Sequence, residues 1–357
     1  RAVAVDTLAT STSLGTSNLL APSQNAVKGY VDSKVEGSPF RNRIINGDFL
    51  VNQRRGIDAV TLTSNAYNAD RWVHDVTQSS KASSQVINGG SVVGSTNYLR
   101  MKTISAATLG SGDAFSILQG IEGYNVQDFS FGTAEAVQVT LSFWVRASQT
   151  GTYSVSFRNN GDSRSYVTTY TINTANTWEY KTITINGDTS GTWKNDTSRG
   201  LSVYFDFGTG STFTTASPNT WLAGNFVKST GTKSLITTLN ATLDLALVQL
   251  EKGGVATSFE YVHVADSLAR CERYYQRCYA NTRGYLSSTG IIIETPISFR
   301  TFMRVVPTAS LIAGIRNNTS SVKISNPNVN GARHEVTSAG AGDTYALVDT
   351  AVFDAEL

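Results

Sequence analysis

The chain has 357 residues, 40% of them hydrophobic and only 16% charged, with 29 Lys and Arg against 27 Asp and Glu for a formal net charge of +2. Charge this sparse leaves the polar surface to Ser, Thr, Asn, Gln and Gly, a composition typical of β-sandwiches, barrels and fibres. Arg54 and Arg55 form the longest basic run, so the clustered cations of phosphate recognition are missing and nucleic acid is not an expected partner. No stretch approaches the roughly 20 apolar residues of a membrane-spanning helix and no secretory-signal pattern opens the chain, so no membrane insertion is expected. A start at Arg1 rather than Met leads us to expect a further part upstream.

Residues 1–40 lack strong alternation and read as an oligomerisation segment with one short helix over Ala21–Val35. Ser23 is its N-cap after Pro22, and Val27, Tyr30, Val31 and Val35 share one side. A helix this short needs partners, from the same chain or from symmetry-related copies. Gly37 to Pro39 mark the boundary.

From 41 to 264 the period is two, which predicts an antiparallel β-sandwich of jelly-roll type. One face is expected to carry Val137, Val139, Leu141, Phe143 and Val145, then Tyr153, Val155 and Phe157, then Leu201, Val203, Phe205 and Phe207, and last Leu243, Leu245 and Leu247. Turn chemistry separates these runs at Ser148–Gly151, Asn159–Asp162, Asn186–Asp188 and Gly208–Gly210.

Residues 265–357 read as a connecting helix and a small β tip domain. Leu268, Cys271, Tyr275 and Cys278 repeat at three, four and three, one helical seam over Ala265–Tyr279. A helix would hold the two cysteines about 10 Å apart, beyond disulfide reach, so both are expected as free thiols. Strands are expected at Ile291–Glu294, Ser298–Arg304, Ser310–Ile315, Val322–Ser325 and Thr344–Phe353, with Pro296, Pro307 and Pro327 limiting which of them run centrally.

Catalytic constellations are sparse. His74, His263 and His334 stand in separate segments, and no HExxH, GxSxG, Walker or GxGxxG pattern occurs. Asp162, Asp188, Asp206 and Glu179 are carboxylates that a sandwich brings together or keeps apart, which the sequence leaves open. No enzyme activity is expected.

Sugar binding needs less: an aromatic face against a pyranose, and Asp, Asn, Gln or Arg for its hydroxyls. Trp193 and Trp221 stand in polar connections with no evident core to fill and are the first candidate platforms. Trp144 and Tyr204 fall on the outward phase of their strands, Arg146 beside Trp144, and Arg158, Asn159, Asp162 and Arg164 cluster at a hairpin. The alternatives are that loops or neighbouring subunits cover these aromatics and that the hairpin cluster is a solvated tip. No DxDxDG loop marks a calcium site. The Asn195–Thr197 and Asn240–Thr242 sequons carry no meaning in a protein made in a bacterial cytoplasm.

Several segments resemble tailed-bacteriophage tail fibres. They are Ala26, Val27 and Tyr30 to Lys34; Asn42 to Arg54 (NRIINGDFLVNQR) with Asp70 to Trp72; Thr140 to Arg146 (TLSFWVR) with Gly151 to Val155, Thr177 to Tyr180 and Val248 to Gly253; Arg270 to Tyr275; and Met303 to Thr308. The block from Thr140 to Gly253 is also similar, more loosely, to jelly-roll carbohydrate-binding modules. The resemblance spans nearly the whole chain in order, though residues 309 to 343 match no pattern. It implies a homotrimeric receptor-binding protein at the far end of a fibre, carried on the virion with upstream tail or baseplate proteins and adhering to a host surface polysaccharide or lipopolysaccharide. No cofactor is implied, and a structural calcium is an option that jelly-roll modules bring with them. Two other roles stay open: a structural fibre or collar component, and a polysaccharide depolymerase, although the repetitive β-helix pattern of the latter is missing.

Overall fold

The computed structural model describes residues 40–357 apart from 91 and 93, so the helix expected over Ala21–Val35 and the boundary at Gly37 to Pro39 lie outside the described residues. Two antiparallel sheets form a sandwich of jelly-roll type. The first runs, in spatial order, β1 (Val60–Thr61), β4 (Ala82–Asn88), β5 (Asn97–Thr103), β15 (Thr242–Lys252), β7 (Val139–Ala147) and β10 (Glu179–Ile185). The second runs β13 (Trp221–Ala223), β9 (Arg164–Ile172), β8 (Gly151–Asn159), β11 (Arg199–Thr209), β6 (Ala114–Glu122), β3 (Val73–Val76) and β2 (Ala66–Tyr67). Strands remote in sequence lie side by side at the centre of each, β5–β15–β7 and β8–β11–β6. In the excursion between β11 and β15, β12 (Thr214–Thr215) and β14 (Lys228–Ser229) pair in parallel.

Period-two alternation accounts for the core. Val139, Leu141, Phe143 and Val145 are fully buried, as are Tyr153, Val155 and Phe157 and all four of Leu201, Val203, Phe205 and Phe207. A one-residue slip would turn every one of them to solvent, and each large side chain contributes about 1.5–3 kcal/mol by burial, so the register is strongly set.

Leu247 is the exception. The β15–β7 register shifts between Ala246 and Gln249, Leu247 takes a left-handed φ of 49°, and Val248 and Leu250 enter the core in its place. The cause lies in the segment 42–47, which crosses here: Val248 N–H donates to the Gly47 carbonyl at 2.9 Å and the Asn42 amide donates to the Val248 carbonyl at 3.2 Å. The bulge therefore sends Leu247 outward, against the expectation, into a cluster with Tyr98, Ala246 and Trp144.

The residues of the Asn42–Arg54 motif hold this corner. Asn46 bridges backbone groups of Val51 and Asp70, and its own carbonyl accepts from Trp72 Nε1 at 2.9 Å. The Asp70 carboxylate accepts from the Gln53 backbone and side chain at 3.0 and 2.6 Å. Trp72 is wholly buried against Phe49 and Phe205.

The helix that follows spans Val264–Glu272 and stops short of the expected Tyr279. Its end is fixed by tertiary bonds: the Arg273 guanidinium makes a two-bond contact with Glu122 at 2.9 and 2.6 Å, and the Tyr274 hydroxyl donates to the same carboxylate at 2.7 Å. From Tyr275 the chain is strand β16 (Tyr275–Leu286), so Tyr275 and Cys278 belong to a sheet rather than a helical seam. Both cysteines are free, Cys271 buried and Cys278 half-buried.

Beyond the helix, β16 pairs with β22 (Gly342–Asp354), which also pairs with β18 (Thr308–Ile312) and β19 (Ile315–Asn317). A three-stranded sheet, β17 (Ile292–Ser298), β21 (Gly331–Ser338) and β20 (Thr319–Asn328), lies beside it. Pro296 and Pro327 fall in β17 and β20, the two edges of that sheet, as their missing N–H groups require. Residues 299–304 are irregular rather than a strand, because Met303 turns in to be fully buried. Two strands escaped the sequence reading, β16 and β21. In β21 the inward positions include His334, whose ring bonds Thr282 Oγ1 at 2.9 Å and Asp349 Oδ2 at 3.0 Å.

Candidate functional site

The bulge at Leu247 shapes the outer face of the first sheet. Trp144 on β7 stands directly opposite Tyr180 on β10, their rings 5.4 Å apart. After β15 the chain folds back over this face. Glu251 accepts from the Thr257 backbone at 2.8 Å, the Gln249 side chain accepts from the Glu260 backbone at 2.8 Å, and Glu260 accepts from the backbone of Phe40 and Asn42 at 2.9 and 2.7 Å. These bonds place Phe259 and Tyr261, in edge-to-face contact at 5.1 Å, beside Trp144. The result is an open groove of about 300 Å³ lined by Trp144, Tyr180, Phe259, Tyr261 and Leu247, with Ser142 and Ser258 at its polar margin. Tyr180 is 45% exposed and Tyr261 60% exposed, so two of the four rings present themselves to a ligand.

Next along the same face, Asp244 is fully buried between Arg100, two bonds at 2.7 and 2.9 Å, and Arg146 at 2.8 Å. The Arg146 guanidinium lies over the rings of Tyr98 and Trp178 at 4.9 and 4.6 Å. Arg146 is thus immobilised, and the aromatic floor beside it is held rigid. Of the groove residues the sequence singled out Trp144. Tyr180 carried the same signal, an outward phase beside an inward neighbour. Phe259 and Tyr261 lie in a segment without any period.

The outer face of the second sheet holds a different space. Arg158, Asp162 and Tyr204 do come together there, lining a cavity of about 450 Å³ with Asp75, Asn225 and Arg199. Asp162, at a left-handed φ of 56°, pairs with Arg158 at 2.5 Å and with Arg199 at 2.8 Å. The Arg158 guanidinium sits over the Tyr204 ring at 4.5 Å. With Arg158 and Tyr204 each 4% exposed, this end of the hairpin is roofed rather than a solvated tip. Burial pushes the Asp75 carboxyl above its usual range, with Arg158 opposing and Asp162 adding to the shift.

Arg164 leaves that cluster and makes a two-bond contact with Asp188 at 2.7 and 2.6 Å. Trp193 and Trp221 are brought together, 5.3 Å apart, but the view that they have no core to fill is overturned. Both lie edge-on to Phe131 at the margin of the main core, and their indole N–H groups donate to the carbonyls of Ser190 and Asn186 at 3.1 and 2.8 Å. Trp193 keeps one side on a third cavity, about 380 Å³, with Phe129, Phe131, Glu135 and Asn195.

The four carboxylates weighed for hydrolysis each have partners of their own: Asp162 its two arginines, Asp188 Arg164, Glu179 Lys181 at 2.7 Å, and Asp206 Thr209 and the Gly208 backbone. Among the described residues no group of three or more His, Cys, Asp or Glu is placed to hold a metal ion, and no helix is long and apolar enough to cross a membrane.

No protein-family profile matches the sequence, and no curated protein matches it. Among solved structures the chain is similar to a putative sugar binding protein from Bacteroides thetaiotaomicron, at 13% identity and TM-score 0.35, over 60% of this chain and 100% of that one. A family 11 carbohydrate-binding module from Clostridium thermocellum, in complex with a mixed-linked tetrasaccharide, gives 14% and 0.28 over 57% of this chain and 99% of that one. The enzymatically active domain of tailspike protein 4 of bacteriophage CBA120 gives 11% and 0.30 over 60% of this chain and 22% of that one. At these values no residue correspondence follows, and the sandwich assignment stands on the sheet order itself.

Proposed function

We propose that this chain is a glycan-binding adhesin, the distal receptor-binding part of a phage tail fibre, acting as a homotrimer on a bacterial surface polysaccharide or lipopolysaccharide and binding without chemistry. The observation that carries the reading is the open groove in which Trp144, Tyr180, Phe259 and Tyr261 converge on the outer face of a rigid sheet. A pyranose offers a C–H face to such rings while its hydroxyls reach the groove margin, and a groove open at its ends accepts the interior of a chain. The motifs of the fibre resemblance support the wider assignment, because Asn42 to Arg54 and Val248 to Gly253 build the corner that makes the groove.

The test is an array of bacterial surface polysaccharides and lipopolysaccharides probed with the purified chain, beside sedimentation to obtain its mass in solution. The expected result is a trimer that binds at least one glycan, is displaced by the free sugar and loses binding in Trp144→Ala. A monomer that binds none of them would overturn the proposal.

A further inference from the structure

The outer face of a sandwich sheet ordinarily meets water. In the second sheet the excursion between β11 and β15 carries Phe213, Asn225 and Val227 over Leu118 and Tyr204, which are left 7% and 4% exposed. Beneath this roof is the cavity of about 450 Å³, within the range of about 300–1,000 Å³ that small-molecule sites occupy.

Packing explains the apolar wall of this cavity but leaves its polar groups without purpose. No hydrogen bond from a described residue reaches the Asp75 carboxylate or the Tyr204 hydroxyl. Asn225 Oδ1 and the Nε atoms of Arg158 and Arg199 are buried without partners. Each buried polar atom left unpaired costs about 1–3 kcal/mol, so several on one wall constitute a stored penalty that a ligand relieves. Their chemistry defines that ligand. Asp75 and Asn225 offer acceptors for hydroxyl groups. Arg158 and Arg199 are neutralised by Asp162 and Asp75, which leaves the wall without net charge and unsuited to an anionic sugar. Leu118 and Val227 offer an apolar surface to a ring face.

We propose that this cavity is a second saccharide pocket, on the opposite sheet from the groove, that takes a single neutral pyranose with its hydroxyls donating to Asp75 and Asn225. The inference rests on the glycan-binding reading for its ligand class and not on the groove. A roofed pocket of this size admits an end residue, so the two sites would read different parts of one glycan: the groove an internal stretch, the pocket a terminal sugar.

Saturation-transfer NMR with glucose, galactose, mannose, L-rhamnose and N-acetylglucosamine as separate probes tests this, on the wild type, on the groove variant Trp144→Ala/Tyr180→Ala, and on Asp75→Ala and Asn225→Ala. Asp75→Asn, which keeps the volume, serves as the fold control, with melting curves for every variant. The expected result is transfer to at least one sugar that persists in the groove variant, falls at least fivefold in Asp75→Ala and Asn225→Ala, and falls less in Asp75→Asn. Transfer lost in the groove variant and unchanged in Asp75→Ala would overturn the second pocket and leave glycan binding standing. No transfer to any sugar by the wild type would overturn it too, and its distinction from failure of the wider reading comes from the polysaccharide array, where the groove acts alone.

Discussion

Removing the Tyr180 ring separates the contribution of the groove to binding from its contribution to the fold. Tyr180 is on edge strand β10, 45% exposed, and outside any buried cluster, its main contact being Trp144 at 5.4 Å. Tyr180→Ala therefore costs the fold about 0.5–1.5 kcal/mol, the value of one aromatic pair. A pyranose seated on the ring covers about 50 Å² of it, and at about 25 cal/mol per Å² this contributes about 1.3 kcal/mol to binding, close to a tenfold change in affinity. Biolayer interferometry against the glycan identified on the array gives the affinity, and differential scanning fluorimetry gives the stability. The expected pattern is a roughly tenfold weaker Kd for Tyr180→Ala and near-wild-type binding for Tyr180→Phe, which keeps the ring. If Tyr180→Ala binds within twofold of wild type while remaining folded, the groove is not the contact surface and the reasoning from its aromatic lining fails.

Three further outcomes follow from the buried polar groups and the corner. Burial pushes the Asp206 carboxyl up to about 6 from 3.8, with Lys228, Thr209 and the Gly208 backbone opposing; the folded protein then holds that proton more tightly than the unfolded chain, so its stabilisation is complete below pH 3.8 and is lost as pH rises through 6. The shift is worth about 3 kcal/mol, so the stability of Asp206→Asn relative to wild type should improve by that order between pH 4 and pH 8, and a flat difference in chemical denaturation would contradict it. His74 acts in the opposite direction, because burial pushes its imidazole down to about 4 from 6.5 and its contribution is present above pH 6.5 and lost as pH falls through 4; His74→Gln should flatten the acid limb of the stability curve by about 3 kcal/mol. A methyl group at Gly47 would collide with the Val248 carbonyl, so Gly47→Ala should cost about 1–3 kcal/mol by overpacking and weaken glycan binding together with stability; a variant with an unchanged melting temperature would refute the role given to this crossing.

Alternation made most of the sandwich legible, and its failures share one cause. Phe143 and Phe205 face the core because nothing interrupts the ladders of β7 and β11 around them, so the period in sequence is the period in space. At Leu247 a distant segment, 42–47, takes the backbone groups of Val248, and no local pattern announces an intrusion from 200 residues away. The spacing from Leu268 to Cys278 fits a helix throughout, yet Glu122 captures Arg273 and Tyr274 and the strand begins. Long-range bonds likewise decided the sites. Arg158 and Arg164 are neighbours in sequence, but β11 delivers Arg199 to the hairpin and Asp188 draws Arg164 away. Trp193 and Trp221 looked uncommitted because Phe131, the ring they cover, lies in a turn-rich segment with no period. The groove depends on both kinds of information. Its floor is alternation, Trp144 opposite Tyr180, and its wall is a fold-back held by Gln249, Glu251 and Glu260, three polar residues whose partners are all backbone N–H groups. Buried polar side chains of that kind cost free energy unless every bond is made. A chain that needed only a core would gain by replacing them with apolar residues, so their presence beneath exposed aromatic rings argues that the position of Phe259 and Tyr261 is what they maintain.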